Sequence, residues 1–180
     1  MQTFSALLAL AALVGSGVLF AGLVARSGPL ADIVNLARDG AARFSLMLAG
    51  SSMLGSLYFS EIAHYAPCKL CWYQRICMYS IALVSLVATV RREPLARVRV
   101  IAPYVLTLAL LGLCVSTYHY VVEWFPQLES NVCSADVPCT TVWFRKFGFL
   151  TLPAMAGVAF IGVALVMTTV LRSRPDTEGA

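Results

Sequence analysis

Charge is what this 180-residue sequence has least of: 12% of its residues are Asp, Glu, Lys or Arg, against 59% hydrophobic. A typical globular domain carries about 25% charged and about 45–50% apolar residues. Too little polar surface is available here to coat a water-soluble particle of this length. Mean hydropathy is +0.80, and the apolar residues run in blocks rather than at alternating or heptad spacing. Internal repeats, low-complexity tracts and motifs for binding RNA or DNA are absent. The net charge of +4 comes from short arginine clusters between the apolar blocks, where membrane topology explains them better than a nucleic-acid partner does. The absences exclude a soluble protein and leave an all-α protein of the lipid bilayer.

A membrane-spanning helix needs roughly 20 apolar residues. Five blocks qualify: Phe4 to Val24, Phe44 to Tyr65, from Cys71 or just after it to Val90, Val100 to Val122, and Phe147 to Leu171. Helices, which satisfy their own backbone groups, are the natural form of such blocks in lipid. Met1-Gln2-Thr3 offers no basic stretch ahead of the first block, and that block exceeds the usual hydrophobic core of a signal peptide. An uncleaved helix is therefore expected there, although Ala21, Gly22 and Ala25 resemble a cleavage site. The stretch from Ser27 to Arg43, with Ile33, Leu36 and Ala37 among polar residues, reads equally as a short interfacial helix or a linker.

Orientation follows from the arginines. Arg91, Arg92, Arg97 and Arg99 lie between the third and fourth blocks, Arg26, Arg38 and Arg43 between the first two, and Arg172 and Arg174 in the tail. With five spans all three segments fall on one side, which the positive-inside bias makes cytoplasmic. The turn Ala66 to Cys71 and the loop Glu123 to Lys146 then face outward. Arg145 and Lys146 run against the bias slightly.

Six cysteines are present. Cys77 and Cys114 fall inside apolar blocks and read as small apolar side chains. Cys68 and Cys71 form one pair near the aqueous boundary and Cys133 and Cys139 another, on the side where disulfides persist. Cys68-Lys69-Leu70-Cys71 just before a helix is a compact dithiol. Exposed N–H groups at a helix start stabilise a thiolate, the species that attacks disulfides. Arg75, one turn beyond Cys71, adds a cation beside that thiolate or beside an anionic electron carrier; its other reading is an arginine reaching to the interface. Cys133 and Cys139 enclose five residues, Ser134 to Pro138. A disulfide closing so short a loop gains little chain entropy, so exchange explains it better than stapling does. A zinc site of all four cysteines is the rival reading, but the second spacing is wider than usual and His64 is the one histidine near either segment.

His64, with Glu61, sits near the outer end of the second block and is a candidate for carrying protons to or from a cofactor. His119 reads more simply as a helix–helix hydrogen bond. Trp72, Tyr73, Trp124, Trp143 and Phe144 make an aromatic belt at the outer boundary, and Trp72 and Tyr73 are placed to wall a flat ring. Disulfide exchange alone needs no membrane. A lipid-soluble acceptor explains the setting, and a quinone fits because it is flat, apolar and takes two electrons with two protons.

The segments Leu57-Tyr58-Phe59-Ser60-Glu61 and Pro67-Cys68-Lys69-Leu70-Cys71-Trp72-Tyr73-Gln74-Arg75-Ile76 resemble the first-loop signature of the DsbB/BdbC family of disulfide-bond-formation membrane proteins. Val137-Pro138-Cys139, Phe147-Gly148-Phe149 and Leu152-Pro153 are similar to its second loop and last helix. The resemblance covers roughly Phe44 to Leu171. It implies a four-helix transmembrane bundle that oxidises an extracytoplasmic thioredoxin-like disulfide oxidoreductase and passes electrons to a membrane quinone, ubiquinone or menaquinone. Carried over, Cys68 and Cys71 form the quinone-proximal pair, with Cys71 engaging the quinone beside Arg75, and Trp72 and His64 as further candidate contacts. Cys133 forms the mixed disulfide with the partner, and Cys139 resolves it by exchange with Cys68. The corresponding division is 1–26, an additional N-terminal transmembrane helix; 27–43, a cytoplasmic connection; 44–171, the bundle; and 172–180, a cytoplasmic tail. The additional helix departs from the family's four-helix core. A vitamin K epoxide reductase-like enzyme is the enzymatic alternative, although its loop pair usually precedes the C-x-x-C. A non-enzymatic membrane protein with structural disulfides is the other.

Overall fold

The computed structural model describes residues 2–25, 28–129, 133 and 137–172. Arg26, Arg174 and the residues 134–136 between the second pair of cysteines, on which parts of the sequence reading rest, lie outside the described residues. The chain runs α1 (Gln2–Ala25), α2 (Pro29–Asp39), α3 (Ala41–Leu57), α4 (Lys69–Val90), α5 (Leu95–Trp124) and α6 (Leu152–Arg172). No strand occurs among the described residues beyond a single antiparallel bridge between Lys146 and Leu150. The all-α bundle with an additional N-terminal helix is the architecture observed.

Helices α1, α4, α5 and α6 are long and apolar enough to cross a membrane. α3 has 17 residues but continues without a break into a π-helical turn, Tyr58–Ile62. Together they make about 33 Å of helix at about 1.5 Å per residue. The second block therefore stops short of Tyr65. His64 takes a left-handed backbone (φ 57°), the Tyr65 N–H turns back to the Phe59 carbonyl at 2.9 Å, and Pro67 follows. The segment 29–39 is helical, with Pro29 in the first turn where its missing N–H costs nothing.

Other boundaries also differ from those the hydropathy blocks set, among them α5, which begins at Leu95 rather than Val100. α6 begins at Leu152 rather than Phe147, because Phe147 (φ 54°) and Gly148 (φ 79°) make a tight turn. That turn is closed by reciprocal Lys146–Leu150 backbone hydrogen bonds of 2.9 Å. α4 begins earlier, at Lys69, with Cys68 as its cap. One residue also differs in placement: Cys77 is buried, whereas Cys114 faces out of the bundle.

The core lies where α4, α5 and α6 meet α3, around Ile81, Val105, Phe160 and Val163. Without a hydrophobic force between helices in lipid, close packing at small residues holds them together. Gly112 on α5 is such a residue: a Cβ there would run into the Phe160 ring of α6. α1 packs on α6 through Ala6 and Ala9, which join Leu150, Ala154 and Met155. The N-terminus of α1 thereby lies at the same end of the bundle as both cysteine pairs. The arginine-rich connection between α4 and α5 lies at the other.

Candidate thiol–disulfide site

Cys68 ends an extended stretch (φ −73°, ψ 173°) and caps α4, its sulfur accepting the Cys71 backbone N–H at 3.3 Å. This is the place in a helix where backbone donors lack partners and favour an anion. The Cys68 and Cys71 sulfurs lie 2.9 Å apart and are not bonded. The hydrogen bond from the Cys71 thiol is the strongest influence on Cys68 and lowers its pKa. Burial opposes this, and His119 and the Cys71 N–H lower it further, so the thiol titrates at about 4 instead of 9.0. Cys68 is thus a thiolate at neutral pH, with Cys71 as its donor.

Behind this pair stands His119, 3% exposed on α5. Its Nδ1 takes a hydrogen bond from the Gln74 amide at 2.9 Å. That leaves the imidazole N–H on Nε2, 3.1 Å from the Cys139 carbonyl oxygen and 3.7 Å from the Cys68 sulfur. One ring therefore joins the helix-cap cysteine to the loop that carries the second pair. Cys133 and Cys139 form a disulfide with their Cα atoms 5.9 Å apart. Cys139 is buried at 1% exposure, in one apolar cluster with Cys68, Leu70 and Val122, while Cys133 is the more open of the two.

On the other side of Cys71 opens an apolar cavity of about 410 Å³. Cys71, Gln74, Arg75 and His119 line it, and Cys68 does not. Arg75 is 9% exposed. Its Nε and Nη2 donate to the Ser56 hydroxyl and carbonyl, each at 2.8 Å. Its guanidinium carbon lies 5.2 Å from the Trp72 ring centroid. The ion pairs among the described residues are Arg38–Asp39 and Arg97–Glu93, so this buried cation has no carboxylate partner there. Flat walls come from Phe59, Tyr65 and Trp143. Tyr65 stacks on Trp143 at 4.7 Å and on Phe59 at 5.7 Å.

The structure therefore brings Cys68, Cys71 and Arg75 together, with Cys139 beside Cys68. Trp72 reaches the cavity only through its contact with Arg75 and is itself 52% exposed. His64 is exposed and outside the cavity lining. His119, read from the sequence as a helix–helix hydrogen bond, does bond Gln74 across α4 and α5 and meets the cysteines as well; Gln74 is the residue that sequence reasoning passed over. Gln74, three residues after Cys71, shares its helix face, a signal that was there to be read. In this form Cys133 and Cys139 are bonded to each other, so the four cysteines do not offer four thiolates together. Cys68, Cys71 and His119 place their donor atoms within 4.8 Å of one another. Tetrahedral zinc, with Zn–S of about 2.3 Å, would hold two sulfurs roughly 3.8 Å apart. The 2.9 Å separation instead suits a pair that opens and closes a disulfide.

Comparison with known proteins agrees with this geometry. The sequence model described as disulfide bond formation protein DsbB matches residues 40–171. Disulfide bond formation protein C of Bacillus subtilis is 41% identical over 124 residues, 68% of this chain and 86% of its own length. The probable disulfide formation protein of Oceanobacillus iheyensis is 39% identical over 125 residues, 68% and 83% of the two chains. A probable disulfide formation protein C of Bacillus cereus is 36% identical over 144 residues, 77% of this chain and all of its own. No solved structure matches the chain significantly. With two cysteine pairs at one end of a multi-pass helix bundle, the chain belongs to the DsbB family of disulfide bond formation proteins, membrane disulfide oxidoreductases.

Proposed function

We propose that the chain is a membrane thiol oxidase that reoxidises an extracytoplasmic thioredoxin-like dithiol and passes the electrons through both cysteine pairs to a membrane quinone. The observation that carries this reading is the position of Cys68 and Cys71. Cys68 shares a buried cluster with Cys139, and Cys71 lines the apolar cavity beside Arg75. The arginine-rich α4–α5 connection at the far end supports an extracytoplasmic placement of the cysteines.

The residues around the cavity suit a quinone. Its lining is apolar, its walls include flat aromatic rings, and Arg75 keeps N–H groups beyond the two used on Ser56. When bound, the quinone supplies an acceptor for two electrons and two protons. The chain's own part begins at Cys133, the more open sulfur of the loop disulfide. A partner thiolate attacks it, forming a mixed disulfide and releasing Cys139 as a thiolate. The Cys139 thiolate attacks Cys68 of an oxidised Cys68–Cys71 pair, forming a Cys139–Cys68 bond and releasing the Cys71 thiolate towards the cavity. The second partner thiol then breaks the mixed disulfide, leaving the partner oxidised and Cys133 reduced. Reclosure of Cys133–Cys139, with Cys68 leaving as a thiolate, leaves the inner pair holding both electrons. His119 favours this reclosure by donating to the leaving Cys68 sulfur.

Cys71→Ser tests the reading in proteoliposomes loaded with a quinone and supplied with a reduced thioredoxin-like dithiol. Quinone reduction should be abolished while the loop disulfide still exchanges. Turnover at the wild-type rate would end the proposal.

A further inference from the structure

The cavity beside Cys71 is not enclosed by residues 40–171 alone. Ser5, Leu8, Ala9 and Ala12, one face of α1, line it together with Cys71 and Arg75. α1 precedes the segment that matches the family. Two further contacts fix its position. Ala6 (0% exposed) and Ala9 (9% exposed) pack into the cluster around Leu150. The Gln2 amide donates to the Tyr65 hydroxyl at 2.8 Å, and Tyr65 is the middle ring of the Phe59–Tyr65–Trp143 stack. α1 is thus tied to an aromatic wall of the cavity as well as forming a wall of its own.

We propose that α1 is a specificity-determining wall of the acceptor site. Its small residues Ala9 and Ala12 set the room for a lipid-soluble ring compound, and Leu8 limits the ring's width. The physical reason lies in the side of the cavity that α1 occupies. A bundle of α3–α6 has its outer pocket bounded by Ser51, Ser52 and Ser56 on α3 and by Met155, Ala156 and Ala159 on α6. α1 packs against α6 and presents its alanines to the same space. A ring that reaches Cys71 must therefore fit against α1, and packing this close discriminates by single methyl and methylene groups. The chemical class of the ligand, a quinone, rests on the function proposed above; the role of α1 in binding it is the addition.

The test uses the full-length purified chain in detergent and reads equilibrium binding, through quenching of tryptophan fluorescence, for a one-ring benzoquinone and a two-ring naphthoquinone. Exchange of the Cys133–Cys139 disulfide with a small dithiol, measured without quinone by mass shift, serves as the check of folding. Ala12→Phe should weaken binding of both quinones by about tenfold or more and leave exchange unchanged. Val14→Phe, on the 67% exposed side of α1, should change neither. Leu8→Ala should raise affinity for the naphthoquinone relative to the benzoquinone several-fold. Wild-type binding in Ala12→Phe, with exchange intact, would overturn the role of α1. Should Ala12→Phe fail to fold, an unchanged affinity ratio in Leu8→Ala overturns it instead. Absence of any quinone binding by the wild-type chain would overturn the proposed acceptor, and this inference with it.

Discussion

His119 Nε2 lies 3.7 Å from the Cys68 sulfur while the same nitrogen reaches the Cys139 carbonyl at 3.1 Å. One imidazole therefore touches both the sulfur at the helix cap and the backbone of the loop cysteine. A donor at that point stabilises negative charge on Cys68 and also holds the loop close to it. Exchange between the two pairs needs both conditions: a sulfur that leaves as a thiolate, and a neighbour near enough to take its place.

The first prediction concerns pH. The Cys68 thiol titrates at about 4 rather than 9.0. Its pKa is lowered by folding, so the extra stability of the reduced form is complete above about pH 9 and is lost as pH falls through about 4. Between these limits, reduction of the Cys68–Cys71 disulfide takes up one proton with two electrons. The midpoint potential should then change by about 30 mV per pH unit, half of the slope of about 59 mV for a dithiol keeping both protons. Glutathione equilibration followed by mass spectrometry between pH 5.5 and 8 would measure it, and a full two-proton slope would refute the assignment.

A second prediction isolates the imidazole. A hydrogen bond to a charged group contributes about 1.5–3 kcal/mol, equivalent to roughly 1–2 pKa units. His119→Ala should raise the titration of Cys68 by about that amount, read from the pH dependence of its alkylation by iodoacetamide. His119→Gln, which keeps an N–H donor, should recover part of the shift. Equal profiles for His119→Ala and wild type would mean that the histidine only positions the loop.

The parts of this arrangement that were legible in the sequence are those carried by local spacing. Cys68, Cys71 and Arg75 fall within two helical turns, so their relation is fixed once α4 forms. Apolar block length likewise revealed the helices, missing their ends where backbone geometry decides, as at the left-handed Phe147–Gly148 turn. His119 was not legible as a site residue. It is 51 residues from Cys68, and only the packing of α5 on α4 brings them together. His64 misled for the opposite reason: its proximity to Cys68 in sequence suggested a shared site, but it follows the helix end in a left-handed backbone and is outside the cavity lining. The first block looked like an appendage because the family resemblance began after it, yet α1 lines the cavity next to the cysteines.

The last prediction concerns Arg75. Burying a guanidinium without a carboxylate is costly. Here that cost is offset in part by Ser56, which accepts from Nε and Nη2, and by the Trp72 face at 5.2 Å. Those contacts leave the remaining N–H groups free to meet an electronegative atom in the cavity. They also fix the plane of the guanidinium, which an ammonium on a flexible stem cannot reproduce. Arg75→Ala should therefore raise the apparent KM for quinone by about tenfold or more, the loss expected for one charged hydrogen bond of at least about 1.4 kcal/mol. Arg75→Lys should recover little of it, and Ser56→Ala should produce a smaller change of the same sign by releasing the guanidinium. Thiol exchange at Cys133–Cys139 should be unaffected by all three substitutions. An unchanged quinone KM in Arg75→Ala would make the residue an anchor for α3 and Trp72, and its buried charge would then serve the packing of α4 on α3 alone.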